Sequence, residues 1–163
     1  MLEVYTDGGS SQKATETTLG YYGWAVLHPN KVYEGNGIDK GKTNNQMELR
    51  AVIEAITFCK EHGLIPEEGL KVHSDSRYVI MGISVWIHGW KKRDWCTCAY
   101  LENKGYKRET TIKNLAYWQQ LDELVKDMKI EWVWVKGHNG NEWNERCDQL
   151  ANEAKMAYYR KGK

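Results

Sequence analysis

The stretch VYTDGGS, residues 4–10, places an acidic side chain and two glycines at the end of a predicted strand. Val4 and Tyr5 are residue types that favour strands, and we predict a first strand over residues 3–9. Asp7 ends the apolar part of this stretch, and the two glycines after it leave the backbone open to a bulky group. Taken alone, Asp7 fits either the cap of a turn or a ligand site at a strand end.

Hydrophobic periodicity predicts a mixed α/β fold for the rest of the chain. Two strands, YYGWAVLH and KVYEGNGI, are joined by a turn near Pro29–Asn30, and the later strands are LKVHSD and IEWVWV. Four helical segments are predicted: residues 46–61, 76–92, 112–128 and the stretch after 141. The second is interrupted near Gly82, and the last is capped by Asn141. Three hairpin strands followed by parallel βα units are typical of a mixed sheet with helices packed on it. We predict one domain over residues 1–163.

The overall charge is nearly balanced, but its distribution is uneven. The 163 residues carry a net charge of +1 and are 41% hydrophobic, which supports a folded core rather than disorder. Residues 88–108 contain six Lys or Arg and two acidic residues, so this segment has a charge of +4. Eight Trp and ten Tyr against one Phe indicate that some aromatic rings line a surface groove. We interpret Trp24, Trp132 and Trp134 as core residues.

The four cysteines give only weak support for a zinc site. Cys59 and Cys147 fall on apolar helical stripes and are predicted to be small buried side chains. Cys96 and Cys98 have no matching second pair of ligands. The first residues enter a strand directly, and no signal peptide or membrane-spanning stretch is visible. We therefore expect a soluble cytoplasmic protein with no membrane partner.

Three more carboxylates have placements as unusual as that of Asp7. Asp75 ends the strand LKVHSD, and ligands gather beyond the carboxyl ends of strands in open sheets. Glu48 lies in the first turn of its helix, and Asp148 follows Cys147 in the last helix, so both border an apolar face. Singly, each has a structural explanation: Glu48 favoured by the helix dipole, Asp75 or Asp7 as a turn cap, and Asp148 in a salt bridge. If all four placements were purely structural, four independent coincidences would be needed.

Clustered carboxylates repel one another unless a cation lies between them. Acidic oxygen donors without a set of thiolates or imidazoles favour Mg²⁺ or Mn²⁺. Two such ions about 3.5–4 Å apart can hold the attacking and leaving oxygens of a displacement at phosphorus. The glycines after Asp7 would then let a phosphodiester approach closely. His138, between two glycines in a loop, is either a proton shuttle to a leaving 3′ oxygen or a loop residue without a role.

Five motifs in order, TDGG, TNNQMEL, SDS, KGHNG and NERCDQLA, resemble those of the type 1 ribonuclease H family, over about residues 2–155. The resemblance implies a five-stranded mixed sheet with helices on both faces, and endonucleolytic hydrolysis of the RNA strand of RNA–DNA hybrids to 5′-phosphate and 3′-hydroxyl ends. It implies that two Mg²⁺ ions, or Mn²⁺, are held by four carboxylates: Asp7, Glu48, Asp75 and Asp148. His138 would assist proton transfer and product departure. The expected protein is a monomeric catalytic module without a small-molecule cofactor or an added hybrid-binding domain.

The same resemblance suggests how a hybrid is bound. WIHGWKKRDW resembles the tryptophan-rich basic protrusion of bacterial members, which we place at about residues 86–108. Basic and aromatic groups that interleave in this way grip a nucleic-acid backbone without reading its sequence: Trp86, Trp90, Lys91, Lys92, Arg93 and Trp95. Trp86 is expected to face the DNA strand and Trp90 to be partly structural. Asn44 and Asn45 either contact the minor groove or cap their helix.

The chain also departs from the family pattern. Arg77 stands where a neutral Gln is common, and it could contact the hybrid or pair with a site carboxylate. Gln46 replaces a common Arg, and the loop SSQKATETTLGYYG lacks the usual Pro/Gly-rich composition. The contacts of CTCAYLENKGYKRE are unassigned. Two other interpretations remain: a non-catalytic nucleic-acid-binding module, which should have lost an acidic ligand, and an integrase-like nuclease core, which usually carries end-binding domains.

Overall fold

In the described part of the chain, five strands form one mixed sheet. The structure is a computed structural model that describes residues 1–11, 17–95 and 112–161. The strands are β1 (Leu2–Ser11), β2 (Leu19–His28), β3 (Lys31–Lys40), β4 (Leu70–Ser74) and β5 (Ile130–Trp134). The helices are α1 (Asn44–Glu61), α2 (Arg77–Met81), α3 (Ile87–Lys92), α4 (Leu115–Val125) and α5 (Glu142–Lys161), with a π-helical turn at Gly82–Trp86.

The strand order is β3-β2-β1-β4-β5. β1 pairs with β2 and β2 with β3 in antiparallel fashion, whereas β1, β4 and β5 are parallel to one another. The prediction of three antiparallel strands followed by parallel βα units is therefore confirmed. The parallel pairing of β1 with β4 stops at Thr6 and Ser74. β1 itself continues to Ser11 in its pairing with β2, so Asp7 lies within this strand and not, as the sequence predicted, at its end.

Helices cover both faces of the sheet, as the resemblance implied. In β2, Gly20 lies against the side chain of Met47 in α1, whereas Gly23 lies against the backbone of Cys147 in α5. Positions 20 and 23 point to opposite faces because side chains alternate along a strand. The core between α1 and the sheet is fully buried and includes Val4, Leu49 and Val72.

Helix α1 begins two residues earlier than predicted, and its cap is Thr43. The Thr43 hydroxyl accepts a hydrogen bond from the backbone N–H of Gln46 at 3.3 Å, and the Gln46 side chain accepts one from the Thr43 N–H at 2.9 Å. This reciprocal capping box gives Gln46 a structural role in place of the common Arg. The alternative that Asn44 or Asn45 caps the helix is wrong. Asn141 does cap α5, through a 3.0 Å bond from the Asn144 N–H.

The helical stretch predicted over residues 76–92 is divided into α2, the π-helical turn and α3. The change occurs at Gly82, where an added Cβ would overlap the ring of Trp118 in α4. The buried Trp118 indole donates a 3.0 Å hydrogen bond to the hydroxyl of Tyr78. Gly82 is therefore required because the chain passes directly over this ring, and the expected break near this residue is confirmed.

The three tryptophans interpreted as core residues differ in their surroundings. Trp24 is buried, and Trp132 is half-buried against the core. Trp134 is 39% exposed, so its assignment to the core is wrong. It lies at the last position of β5, which is the edge strand of the sheet formed by the described residues.

Cys59 and Cys147 are buried free thiols, as predicted. Burial raises the pKa of the Cys59 thiol to about 12 and also raises that of Cys147. Cys96 and Cys98 lie outside the described residues, so the weak zinc hypothesis is not addressed. Within the described ranges, no helix is both long enough and apolar enough to cross a bilayer.

Candidate active site

Asp7 and Asp75 lie side by side at the carboxyl edge of the sheet. Thr6 of β1 is the partner of Ser74 in β4, and each aspartate directly follows one of these residues. Asp75 does not cap the next helix, because the hydroxyl of Ser76 accepts the hydrogen bond from the Val79 N–H at 3.2 Å. The two carboxylates therefore have the position of ligand groups in open sheets rather than of turn caps.

Glu48 reaches the same edge from the first turns of α1. An ideal Cβ on Gly8 would clash with the backbone of Met47 and Glu48, so only glycine lets α1 approach β1 this closely. The Gly8 N–H donates a hydrogen bond to Oε1 of Glu48. This bond fixes the Glu48 carboxylate beside Asp7 and gives the glycines in the opening motif a structural function.

Three carboxylates thus form one compact cluster. Oxygen atoms of Asp7, Glu48 and Asp75 all lie within 4.8 Å of one another. Asp7 is 7% exposed and Glu48 8%, while Asp75 is half-buried. Among the residues that the structure describes, none of these three forms an ion pair with Lys, Arg or His. We call this group the carboxylate cluster.

The electrostatics of the carboxylate cluster are unfavourable without a cation. Burial, followed by the charges of Asp75 and Asp148, raises the pKa of Asp7 to about 8. Burial and the charges of Asp7 and Asp75 likewise raise the pKa of Glu48, and the Gly8 N–H opposes this only in part. Buried like charges destabilise the folded protein, which makes a purely structural role for these groups difficult to explain.

Asp148 borders the carboxylate cluster without belonging to its tightest part. It lies on α5 beside the buried Cys147, and its charge, after burial and the charge of Asp75, helps to raise the pKa of Asp7. The salt bridge considered for Asp148 is not present among the described residues. All four predicted carboxylates therefore come together at one edge of the sheet. Their donors are oxygen atoms alone, which fits hard divalent cations such as Mg²⁺ or Mn²⁺.

His138 lies in the loop between β5 and α5, next to the carboxylate cluster. The backbone of Gly137 packs against Asp75, since an ideal Cβ there would be 3.0 Å from Asp75 Oδ2. His138 itself has a left-handed backbone with φ of 55° and is exposed. The loop is thus anchored at the site, and the imidazole projects from it without a fixed partner among the described residues.

The predicted groove residues Asn44 and Asn45 open helix α1 close to the end of β1. The Ser10 hydroxyl donates a 3.1 Å hydrogen bond to Oδ1 of Asn44. Asn44 is exposed and Asn45 half-buried, and neither is used as the cap. The Asn44 amide is thus held at the rim of the site through its oxygen, which leaves its NH₂ group to donate.

Arg77 forms a stack that sequence reasoning missed. Its guanidinium carbon lies 4.5 Å from the centre of the Trp134 ring, and the Trp134 indole donates a 3.1 Å hydrogen bond to the carbonyl of Asp75. Within the described ranges, Arg77 makes no ion pair with a site carboxylate, so that alternative is not observed. The available signal was the alternation in IEWVWV, which places Trp134 and Trp132 on the same face at the edge strand.

The tryptophan-rich segment divides as expected between surface and core. Trp86 is 39% exposed, whereas Trp90 is half-buried with its ring centre 5.4 Å from that of Trp118. Lys91 forms a 3.2 Å ion pair with Asp122 of α4, which the sequence did not predict.

The other members of this segment have varied surroundings. Lys92 is exposed, Arg93 is half-buried with its guanidinium beside Gly89, and Trp95 packs against the core. Residues 96–108 of the predicted protrusion, and 12–16 of the loop after β1, lie outside the described residues.

Comparison with known proteins agrees with this fold. LC9-RNase H1, described as a type 1 RNase H with the type 2 active-site motif, superposes with a TM-score of 0.76 at 30% identity, covering 94% of this chain and 71% of that one. LC11-RNase H1 in complex with an RNA/DNA hybrid has a TM-score of 0.65 at 17% identity, covering 94% and 96%, and supports the fold alone. The protein thus has the ribonuclease H-like fold.

Similar sequences identify the family to which the chain belongs. The sequence profile of the RNase H family matches residues 1–156. Ribonuclease H of Treponema denticola is 41% identical over 94% of this chain and 96% of its own length. Ribonuclease H of Chromobacterium violaceum is 43% identical over 93% of this chain and 92% of its own length. The chain belongs to the RNase H family, which confirms the resemblance of the five motifs.

Proposed function

We propose that Asp7, Glu48, Asp75 and Asp148 hold two divalent cations, Mg²⁺ in the first place, and that the protein uses them to cut RNA. The enzyme class follows from family membership: the protein is a ribonuclease H, an endonuclease that hydrolyses the RNA strand of RNA–DNA hybrids. The observation that carries the metal assignment is the carboxylate cluster, whose oxygens lie within 4.8 Å without a neutralising side chain among the described residues.

The four carboxylates occupy different parts of the site according to their burial. Asp7 and Glu48 are fixed by strand β1 and the Gly8 N–H, and they form the floor of the site. Asp75 and Asp148 are half-buried and define its open sides. When bound, the two cations supply the positive charge that stabilises the attacking and leaving oxygens of an in-line displacement at phosphorus. The products expected are 5′-phosphate and 3′-hydroxyl ends.

His138 is proposed as the group that moves a proton to the departing 3′ oxygen. Its loop is held against Asp75 through Gly137, while the imidazole projects freely. A histidine in such a position can act as a general acid toward a leaving oxygen. The exposure of His138 supports this role, because its imidazole is accessible to a bound substrate.

Asn44 and Asn45 are proposed to read the minor groove of the hybrid. A hybrid carries 2′-hydroxyls on one strand only, and amides can both donate to and accept from these groups. Since Thr43 caps the helix, the two amides are not needed for that purpose. Their position beside β1 supports contact with the strand that is cut.

The exposed face of the tryptophan-rich segment is proposed to bind the DNA strand through Trp86, Lys92 and Arg77, with Lys91 and Arg93 at its edge. Trp86 offers a stacking surface and Lys92 an exposed cation. Lys91 contributes less than the sequence suggested, because Asp122 already neutralises it. Arg77 is held against Trp134 and therefore approaches a phosphate in a fixed orientation.

The alternatives considered for the sequence are less well supported. A non-catalytic binding module should have lost one of the acidic ligands, and all four meet at one edge. An integrase-like core shares the fold, but the family matched over residues 1–156 is RNase H. The monomeric state, the single-domain organisation and the cytoplasmic location stay predictions.

A cleavage assay with matched duplexes tests the proposed function. A labelled RNA–DNA hybrid is incubated with the protein beside RNA–RNA and DNA–DNA duplexes, with Mg²⁺, with Mn²⁺ or with EDTA. Cleavage confined to the RNA strand of the hybrid, lost in EDTA, is expected. Cleavage that persists in EDTA would contradict the metal assignment, and equal cleavage of all three duplexes would contradict the substrate.

A further inference from the structure

Helix α5 carries a stripe of polar residues that begins at Asp148. Asp148, Asn152, Lys155 and Tyr159 are spaced four, three and four residues apart, which places them on one face of the helix. We call these four residues the α5 stripe. From Asp148 to Lys155 the helix advances about 10 Å. The stripe therefore leads outward from the carboxylate cluster.

The α5 stripe lies against the hairpin formed by β1 and β2. The amine of Lys155 is 4.9 Å from the centre of the Tyr21 ring, and the Tyr159 hydroxyl is 3.2 Å from that of Ser11. Tyr21 is the ladder partner of Gly9, two residues after Asp7. Since β2 and β4 are on opposite sides of β1, this contact flanks the cluster on the side away from Arg77 and the tryptophan-rich segment.

Lys155 differs from the other cation in the middle of α5. Arg146 is neutralised by Glu34 at 2.6 Å and approaches Glu153 at 3.6 Å. For Lys155, no carboxylate of the described residues is within ion-pair distance. Residues 154–161 contain three cations and no acidic residue.

The helix dipole explains only part of this positive charge. Arg160 and Lys161 are in the last turn of α5, where cations are favoured by the dipole. Lys155 lies before that turn. Its charge is thus available to a negatively charged ligand that reaches the site from this side.

We propose that Lys155, oriented by the ring of Tyr21, binds a backbone phosphate of the RNA strand within a few nucleotides of the cut. The inference rests on the proposed function, because the strand that is cut has to pass over the carboxylate cluster and continue on both sides of Asp7. A strand advances about 3.4 Å per nucleotide, so the distance from Asp148 to Lys155 corresponds to about three nucleotides. A lysine recognises a phosphate as a point charge and requires no particular base.

A purely structural role for Lys155 makes a different prediction. If the cation–π contact with Tyr21 only fastens α5 to the hairpin, its loss changes stability and leaves hybrid binding unaffected. If Lys155 binds a phosphate, its loss changes the salt dependence of binding. The two roles are therefore separated by measuring binding and unfolding in the same variants.

The test compares Lys155→Gln with Lys155→Arg and with Lys60→Gln, which removes the same charge at the far end of α1. Binding of a labelled RNA–DNA hybrid is followed by fluorescence anisotropy in EDTA over a series of KCl concentrations. Lys155→Gln should weaken binding by about 3- to 10-fold and lower the slope of log Kd against log salt by nearly one. Lys155→Arg should restore both quantities, and Lys60→Gln should change neither.

Hybrids with a single neutral methylphosphonate locate the phosphate. At one position in the RNA strand this replacement should abolish the difference in Kd between wild type and Lys155→Gln. An equal salt slope for Lys155→Gln and Lys60→Gln would overturn the inference. So would an affinity difference between wild type and Lys155→Gln that disappears only when the neutral phosphate is in the DNA strand. Wild-type cleavage of the hybrid with Mg²⁺ is measured in parallel. Its failure would reject the proposed function instead.

Discussion

The carboxylate cluster and the tryptophan-rich segment, Trp86 to Trp95, use charge in opposite ways. The cluster concentrates like charges in a buried place, where they raise one another's pKa values. The tryptophan-rich segment spreads cations over a surface, and one of them, Lys91, is already paired with Asp122. Buried like charges are costly, while exposed charges contribute little each. Single substitutions should therefore have large effects in the first region and small effects in the second.

The largest effect is expected for Asp7→Asn. Removing one charged ligand from the cluster should lower kcat by on the order of 10³-fold, with the fold retained. Steady-state cleavage of a labelled hybrid measures the loss, and circular dichroism checks the fold. Asp127→Asn makes the same chemical change at an exposed turn with φ of 64° and should keep full activity. Near-normal turnover of Asp7→Asn would contradict the two-cation assignment.

His138→Ala should have the next largest effect, lowering turnover by about 10²-fold, within the usual range for a proton-transfer group. Asn139→Ala, its exposed neighbour in the same loop, is the control and should remain within about twofold. Measuring single-turnover cleavage and product release separately shows which step slows. Equal rates for the two variants would assign His138 to a loop without a catalytic role.

The stability of the metal-free protein should fall as pH rises from about 4 to about 8. The unfolded chain loses the Asp7 proton near 3.8, whereas the folded protein keeps it until about 8, so the folded state binds more protons between these values. Urea unfolding in EDTA should therefore show Asp7→Asn to be more stable than wild type at pH 8 by at least about 1 kcal/mol.

The same urea series contains its own control. The advantage of Asp7→Asn should shrink toward pH 4, and added Mg²⁺ should remove it by stabilising only the wild type. Stability curves that stay parallel between pH 4 and 8 would argue against mutual repulsion in the carboxylate cluster.

The smallest effects belong to the tryptophan-rich segment, where two neighbouring lysines can be compared. Lys92→Gln should raise KM about threefold and reduce its dependence on KCl, since Lys92 is exposed. Lys91→Gln should change KM less, because Asp122 already neutralises that cation. KM values at low and high salt measure both. A larger change for Lys91 than for Lys92 would show that the ion pair opens when the hybrid binds.

Local signals in the sequence were sufficient for the end of β4 but not for that of β1. The apolar run of β4 stops at Ser74, directly before Asp75, whereas β1 continues four residues past Asp7 to Ser11, so the prediction that Asp7 ends its strand is wrong. The parallel pairing of β1 with β4 stops at Thr6 and Ser74, and this brings the two aspartates together.

Helix α1 begins two residues earlier than predicted, because its cap is Thr43, which forms a capping box with Gln46, and not one of the asparagines. The break at Gly82 was expected, but its cause, the ring of Trp118 packed over it, comes from a distant helix.

The sequence could not predict the exposure of Trp134 or the contact partners of Lys91 and Lys155. A tryptophan in an apolar strand looks like a core residue, and its exposure depends on β5 being the edge of the sheet. The pairing of Lys91 with Asp122, and the position of Lys155 over Tyr21, join residues far apart in the chain. Such contacts depend on how helices dock, which local periodicity does not encode.

The sequence by itself determined which residues are acidic, where β4 ends and to which family the motifs are similar, because each of these depends on short stretches of neighbouring residues. Only the tertiary structure decided that carboxylate oxygens of Asp7, Glu48 and Asp75 lie within 4.8 Å of one another, and that Asp148 of α5 is near enough to act on the pKa of Asp7. The physical reason is that the repulsion among these groups, and hence their need for cations, depends on distance and burial. Both are set by packing and not by order along the chain.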